Sequence, residues 1–279
     1  AVWEGSALAG YDMSASYPEI HSIAAANQLN EDGIWSSASA WTLASFLGRI
    51  AYNYDYRYLF TVNFRADGSS KFAPQHRWGT FPSVSVGWRL SEEPFMESTS
   101  HLLDDLKIRA GWGINGNQGG IGNYSYLAGM SVSKVLPSEE NPYPGLAIAP
   151  SSAANPDLTW ETTLSHNIGL DFSFLRSRIN GSFEVYHNTT KDLLISFPVS
   201  GSGYDFQYRN MGTVQNRGFE ASAHFVIFEK KNFGLTLGAN ISINENKVID
   251  LGGLDRIESQ TRWASDEIGS DFIVMEGQP

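Results

Sequence analysis

Residues 65–90, RADGSSKFAPQHRWGTFPSVSVGWRL, decide how the rest of the chain is read. The right arm alternates: Val84, Val86, Trp88 and Leu90 lie on one face, Ser83, Ser85, Gly87 and Arg89 on the other. The residues before it alternate as well, with Tyr58, Phe60, Val62 and Phe64 set against Thr61, Asn63 and Arg65. A period of two is the mark of a strand with one apolar face. Two such strands are joined here through a loop of charge, Gly, Ser and Pro.

The same period recurs along the chain. Ile168, Leu170, Phe172 and Phe174 oppose Asn167, Gly169, Asp171 and Ser173. Phe219, Ala221, Ala223, Phe225 and Ile227 oppose Glu220, Ser222 and His224. Eight strands are expected, near 41–54, 57–67, 81–90, 105–114, 161–174, 178–190, 215–228 and 233–247, with room for a ninth near 126–135. Short turns are expected at 55–56, 175–177 and 229–232, and long connections at 68–80, 115–160 and 191–214. The 91–104 connection is intermediate and has room for one helical turn. Short turns at one end and long loops at the other are the pattern of an outer-membrane barrel.

Composition narrows the function classes. The chain has 279 residues and a formal charge of −11, so nucleic acid is an unsuitable partner. With no cysteine there is no disulfide, thiolate metal site or cysteine nucleophile. No apolar run is long enough for a transmembrane helix. The start, AVWEGSALAG, has neither a basic n-region nor an apolar h-region, so a processed chain or a piece of a longer one is expected.

The chemistry of the two faces separates two kinds of barrel. A soluble barrel turns its apolar face inward and covers its outside with Lys and Glu. Here the polar face is mostly Asn, Ser, Thr and Gly, and the apolar face carries Phe, Leu, Ile and Val along whole strands. About ten residues cross a bilayer when tilted. Tyr52, Tyr54, Tyr56 and Tyr58 crowd one turn, as in an interfacial aromatic girdle. A soluble β-sandwich with surface tyrosines is the competing reading.

Motifs for catalysis are missing. Residues 111–116, GWGING, match G-x-G-x-x-G, but a Gly/Asn-rich loop follows where a dinucleotide site needs a helix. No two of the six histidines have a spacing suited to a metal. The acidic pairs at Glu92–Glu93, Asp104–Asp105 and Glu139–Glu140 fall in connections and read as solvated turns. The chain is therefore expected to be no enzyme and to carry no cofactor. An inner face of Asn, Ser and Thr with loop aromatics suits a neutral polar solute, because amides pair with hydroxyls and rings stack on sugars.

Long runs resemble the SusC/RagA family of TonB-dependent outer-membrane transporters. They are DGSSKFAPQHRWGTFPSVSVGWRLSEEPFM (67–96), LGRIAYNYDYRYLFTVNFRADGSS (47–70), LKIRAGWGINGNQGGIGNYSY (106–126), NPDLTWETTLSHNIGLDFSFLRSRINGSFEVYHNTTKDLL (155–194) and RNMGTVQNRGFEASAHF (209–225). The resemblance runs over about 46–251, with EGQP at 276–279 also similar; residues 1–40, 128–153 and 252–272 match poorly, as variable loops would. It implies an all-β fold: an antiparallel transmembrane segment of eight or nine strands within a barrel of about 22. Residues 1–279 would then be part of the barrel domain without its N-terminal plug, with 1–40 an extracellular loop or variable segment. It implies a Gram-negative outer membrane, uptake of oligosaccharides or peptides, a SusD-like surface lipoprotein as lid, and TonB acting through the missing N-terminal region. A non-transporting barrel whose loops bind a partner stays open as the alternative.

For the opening stretch, Arg65, Asp67, Gly68, Ser69, Ser70, Phe72, Arg77, Trp78, Gly79, Phe81, Pro82 and Trp88 form a family motif with an expected structural role. Arg65 and Asp67 fall on the lumen side, Gly68 serves a sharp turn, Phe72, Trp78 and Phe81 pack the loop down, and Pro82 starts the descending strand. Candidate substrate contacts are Trp78, Tyr124, Tyr126 and Tyr143.

Overall fold

A computed structural model of the chain describes residues 2–13, 26–135, 145–199, 201–259 and 272–279. Its strands are β1 (Val2–Met13), β2 (Ala26–Trp41), β3 (Leu43–Tyr54), β4 (Tyr58–Ser69), β5 (Trp78–Arg89), β6 (Leu103–Asn117), β7 (Gly129–Val135) and β8 (Gly145–Ala153). There follow β9 (Glu161–Phe174), β10 (Ile179–Lys191), β11 (Leu194–Pro198), β12 (Phe206–Asn210), β13 (Thr213–Lys230), β14 (Phe233–Asp250), β15 (Arg256–Ser259) and β16 (Phe272–Met275).

Eight of them make one sheet in the order β14-β13-β10-β9-β6-β5-β4-β3. All of its pairings are antiparallel. These are the eight expected wall strands. The stretch near 126–135 does contain a strand, β7, but β7 leaves the wall and joins a four-stranded sheet of order β11-β12-β8-β7. Residues 1–40 contribute β1 and most of β2, which pair with each other. The 91–104 connection holds 3-10 turns at Leu90–Glu92 and Pro94–Thr99.

Alternation and register together sort the side chains. One register line across all eight strands reads Tyr52, Phe60, Val86, Ala110, Ile168, Val185, Phe219 and Ile243. One residue along each strand, the line on the opposite face reads Ala51, Thr61, Ser85, Gly111, Asn167, Tyr186, Gly218 and Asn244. Among the described residues the apolar face has no protein cover: Ile168 is 58% exposed and Ile243 53%. The chain exposes 18927 Å², against about 12,000 Å² for a compact soluble protein of this size. A β-sandwich would bury that face, so the sandwich reading fails and a lipid-covered wall fits.

Tight turns close one end. Asp55 and Tyr56 both take left-handed φ, 51° and 55°, and Asn53 Oδ1 accepts the Tyr56 N–H at 3.0 Å. Left-handed turns match the twist of the two strands they join. At the same end Tyr54, Tyr58 and Trp88 stack in sequence, with centroids 6.3 and 6.5 Å apart. Glu93 folds under them: its Oε1 accepts the Tyr58 hydroxyl at 2.6 Å and the Trp88 indole N–H at 2.9 Å.

These two donors, Tyr58 first and Trp88 second, hold the Glu93 carboxyl below the ordinary glutamate range. A carboxylate depressed on folding contributes stability above its unfolded pKa, about 4.3, and loses it as pH falls through the lower folded value. Acid titration of the folded protein should therefore show a step below the ordinary glutamate range that Glu93→Gln lacks. Thermal melting measured against pH checks this, and parallel acid limbs in the two proteins would refute it.

Candidate functional site

Two features stand out: a rim cluster at the loop end, and an ionic lattice on the polar face. The rim forms where β5 and β6 part. Their ladder stops at Ser83↔Gly113, although β5 runs on to Trp78 and β6 to Asn117. Pro82, which has no N–H to donate, is the first residue beyond the ladder. The gap is filled by Phe72, Phe81, Ile121, Leu158, Trp160 and Leu194, all buried, with Tyr126 packed against them. Trp160 is central. Its centroid lies 5.1 Å from that of Phe72 and 5.4 Å from that of Phe81, and its indole N–H donates to the Arg77 carbonyl at 3.0 Å.

Polar groups of the opening motif lock this cluster. Ser69 is fully buried, and its N–H donates to the Arg77 carbonyl at 3.1 Å. Ser70 Oγ accepts the Thr42 N–H at 2.8 Å. Lys71 Nζ donates to the Ile121 carbonyl at 3.1 Å and lies 5.6 Å from the Trp41 ring centroid. Arg77 Nε reaches back to the Phe72 carbonyl at 3.4 Å. Arg65 Nε holds both oxygens of buried Asp67, at 2.9 and 2.7 Å. Gly79 lies beneath the Phe81 ring.

Three details differ from expectation. Pro82 does not start the descending strand: β5 begins at Trp78, and Pro82 lies within it opposite Phe64. Trp78 does not join the lobe: its ring is on the apolar face, stacked on Phe46 at 5.8 Å and 54% exposed. Trp160 occupies the place in the lobe expected for Trp78. Gly68 makes no sharp turn; it stays in β4 without a left-handed φ, and its bare Cα admits Trp78, whose ring would lie 2.7 Å from an added Cβ.

The candidate contact residues are dispersed. Tyr126 is half-buried against the rim cluster, and the Tyr124 hydroxyl accepts the Ala40 N–H at 3.1 Å. Tyr143 lies outside the described residues. Among the described residues no ring contact joins Trp78 to Tyr124 or Tyr126. No group of three or more His, Asp or Glu side chains among them is arranged to hold a metal ion.

The lattice on the polar face was not singled out from the sequence. Lys107 Nζ pairs with Asp171 at 2.8 Å, and Arg109 Nε pairs with the same carboxylate at 3.2 Å. The far end of the Arg109 guanidinium pairs with Glu184, whose other oxygen accepts the Asn167 amide at 2.9 Å. Arg109 reaches a strand two away because Gly169 lies between: Arg109↔Gly169↔Glu184 is one register line. A Cβ at Gly169 would come within 2.6 Å of the guanidinium carbon. Beyond the lattice, hydroxyls and amides pair across the strands of this face. Thr163 meets Thr190 at 2.9 Å, Ser182 meets Ser222 at 2.9 Å, Asn246 donates to Asn216 at 2.8 Å, and Tyr186 donates to Asn244 at 3.0 Å. An open cavity of about 620 Å³ runs past Asn167, Glu184, Tyr186, Asn188, Asn216 and Glu220.

A sheet apolar on one face and hydrogen-bonding on the other, with tight turns at one end and folded loops at the other, is the wall of an outer-membrane β-barrel. The chain belongs to the TonB dependent receptor-like, beta-barrel family, whose profile matches residues 5–264, and it is related to the SusC/RagA transporters. It is 39% identical over 221 residues to TonB-dependent receptor SusC of Bacteroides thetaiotaomicron, covering 77% of this chain and 21% of that protein. It is 34% identical over 277 residues to TonB-dependent receptor P39 of Formosa agariphila, covering 99% of this chain and 25% of that one. Among solved structures, the RagAB peptide transporter superposes with a TM-score of 0.76 at 27% identity, over 88% of this chain and 26% of the other. The chain thus spans about a fifth to a quarter of the relatives it matches. Its described wall is part of a larger outer-membrane barrel, with the tight turns at the periplasmic end and the rim cluster at the extracellular end.

Proposed function

We propose that this chain is the barrel portion of a TonB-dependent importer of oligosaccharides or peptides. The observation that carries the reading is the polar face. It is rich in Asn, Ser, Thr and Tyr, its charges are largely paired with one another, and it is open along its length rather than packed into an apolar core. Such a surface hydrogen-bonds a hydroxyl-rich or amide-rich solute without holding it by net charge. Similarity to a protein described as a peptide transporter supports the same reading. On this proposal residues 1–40 belong to the extracellular side, the loops meet a SusD-like lipoprotein lid, and TonB acts through a segment N-terminal to the wall.

Uptake by the host of the full-length protein tests it. Deleting the gene should abolish uptake of one class of labelled oligosaccharide or peptide. Complementation with wild-type protein should restore uptake, and complementation in a TonB-deficient strain should not. If uptake of both classes survives deletion while attachment to a surface or partner is lost, the protein is an adhesive barrel and the import reading fails.

A further inference from the structure

On the polar face, Tyr186 lies down along the wall instead of standing up from it. Its register partner on β13 is Gly218, and a Cβ added there would come 2.7 Å from the Tyr186 hydroxyl and 2.9 Å from the ring carbon that bears it. The hydroxyl passes over this bare backbone and donates to Asn244 Oδ1 on β14 at 3.0 Å. The ring is thus tied at its tip, half-buried, with the wall beneath it and the lumen above. It lies in the outer half of the wall, since Gly218 is nearer Thr213 than Lys230 in β13 and Asn244 is nearer Asp250 than Phe233 in β14. A solute arriving from outside meets it before the Lys107–Asp171 pair.

Two rows of hydrogen-bonding groups flank the ring. The next same-face line outward reads Ser165, Asn188 and Asn216, and the next one inward Glu184 and Glu220. Same-face neighbours along a strand are about 7 Å apart, so the rows are about 14 Å apart, more than the width of one sugar ring. All of these residues line the open cavity of about 620 Å³, and every residue of its lining is Ser, Asn, Glu or Tyr. Much of their capacity is unspent. Among the described residues the Ser165 hydroxyl and the Asn188 amide make no side-chain hydrogen bond. Asn216 gives its oxygen to Asn246 at 2.8 Å and keeps its N–H groups free. Glu184 is taken up by Arg109 and Asn167, but Glu220 is exposed, pairs with no cation among the described residues and accepts only the Ser242 hydroxyl at 3.4 Å.

We propose, resting on the import reading above, that this cavity is a subsite for neutral oligosaccharides. One sugar ring packs on Tyr186, and hydroxyls of that ring and its neighbours pair with Ser165, Asn188 and Asn216 outward and with Glu220 inward. The free groups select this solute. An amide offers an N–H and a C=O side by side, and a sugar hydroxyl, which both donates and accepts, uses both. A hydroxyl donated to a carboxylate is among the stronger hydrogen bonds, whereas a uronate brought to Glu220 meets a like charge. An apolar peptide side chain finds no apolar lining. A cationic one would use Glu220 and the ring, but would leave the amide N–H groups unpaired.

The test puts the full-length protein, in detergent, on an array of neutral oligosaccharides, uronate-bearing oligosaccharides, and lysine-rich and alanine-rich hexapeptides. The strongest binder is then titrated by calorimetry. Wild type should take neutral oligosaccharides and neither uronates nor peptides. Tyr186→Ala should weaken the best neutral binder by roughly 10-fold, and Tyr186→Phe, which keeps the ring, by about 5-fold at most. Asn188→Ala should cost about 5-fold, and it carries the comparison if Tyr186→Ala does not fold, as judged by heat-modifiable gel mobility. Glu220→Gln keeps an acceptor for hydroxyls and removes the charge, so uronate binding should appear. The proposal is overturned if no neutral oligosaccharide binds, or if the folded Tyr186 and Asn188 variants bind it like wild type. It is also overturned if a lysine-rich peptide binds wild type and is lost in Glu220→Gln, which would make this a cation subsite. Uptake in the host keeps this failure apart from that of the import reading. Uptake lost with the gene but unchanged in Tyr186→Ala removes this subsite alone, whereas uptake that survives deletion of the gene removes the reading on which it rests.

Discussion

Trp160→Ala will destabilise the folded protein by about 3–5 kcal/mol, and Trp78→Ala by about 1 kcal/mol or less. Trp160 is 7% exposed, touches both Phe72 and Phe81, and donates its only N–H to the Arg77 carbonyl. Truncating it opens a cavity where β5 and β6 no longer support each other. Trp78 has one stacking partner, Phe46, and a surface that lipid covers in any case. Trp160→Phe separates the two contributions of that side chain. It keeps most of the ring area, and the Arg77 carbonyl keeps its bond from the Ser69 N–H at 3.1 Å. The cost should fall to about 1 kcal/mol plus a small packing term. The measurement is the temperature at which full-length protein loses its folded gel mobility, with protease cleavage of the 118–160 loop as a local readout. A Trp78→Ala loss as large as that of Trp160→Ala would show that the lobe is built otherwise.

The contrast between those tryptophans shows what was legible in the sequence. Alternation located all eight wall strands, because each is long and one face is apolar throughout. β4 was expected at 57–67 and occupies Tyr58–Ser69. The outward direction of Trp78 was legible too. It shares parity with Val84, Val86 and Trp88, but a strand start expected at 81 leaves it in the loop, whereas β5 starts at Trp78. Trp160 was beyond reach by the same means, since it lies one residue before β9 at the end of a long connection and meets partners about 80–90 residues away. The loop sheet was hidden for a related reason. β11 and β12 are five residues each, and β12 pairs in parallel with β8 at Phe206↔Ser152, a register that no turn announces.

The polar lattice was half legible. Alternation puts Lys107 and Arg109 on one face of β6 and Asp171 on the matching face of β9. The tight turn after Phe174 sets β9 against β10, so Gly169↔Glu184 follows from counting. The pairing of β6 with β9 does not, because the loop between them spans 118–160 and fixes no register. Without that pairing Arg109 has no visible route to Glu184. The candidate substrate contacts were not legible as a site, since loop aromatics carry no period and their neighbours depend on the fold of the loops.

Gly169→Val will destabilise the wall although it raises the strand preference of the position. Valine favours strands over glycine, so local propensity alone predicts a gain. Against it, the new Cβ would stand 2.6 Å from the Arg109 guanidinium carbon, and the side chain would close the passage from β6 to β10. Arg109 would keep Asp171 but lose Glu184. Glu184 would then face Glu220, its register partner on β13, with only the Asn167 amide to balance it. Like charges directly opposite are unfavourable, and stranding a half-buried carboxylate costs about 1–3 kcal/mol. The diagnostic is non-additivity. Glu184→Gln should be destabilising in wild type, where it strips Arg109 of a partner, and stabilising in the Gly169→Val background, where it removes the stranded charge. A coupling of about 1–2 kcal/mol between the two substitutions is the expected size for residues in one ionic network. If the two effects simply add, or if Gly169→Val alone is neutral, then glycine is not what lets Arg109 cross β9, and the lattice contributes nothing to the rigidity of the wall.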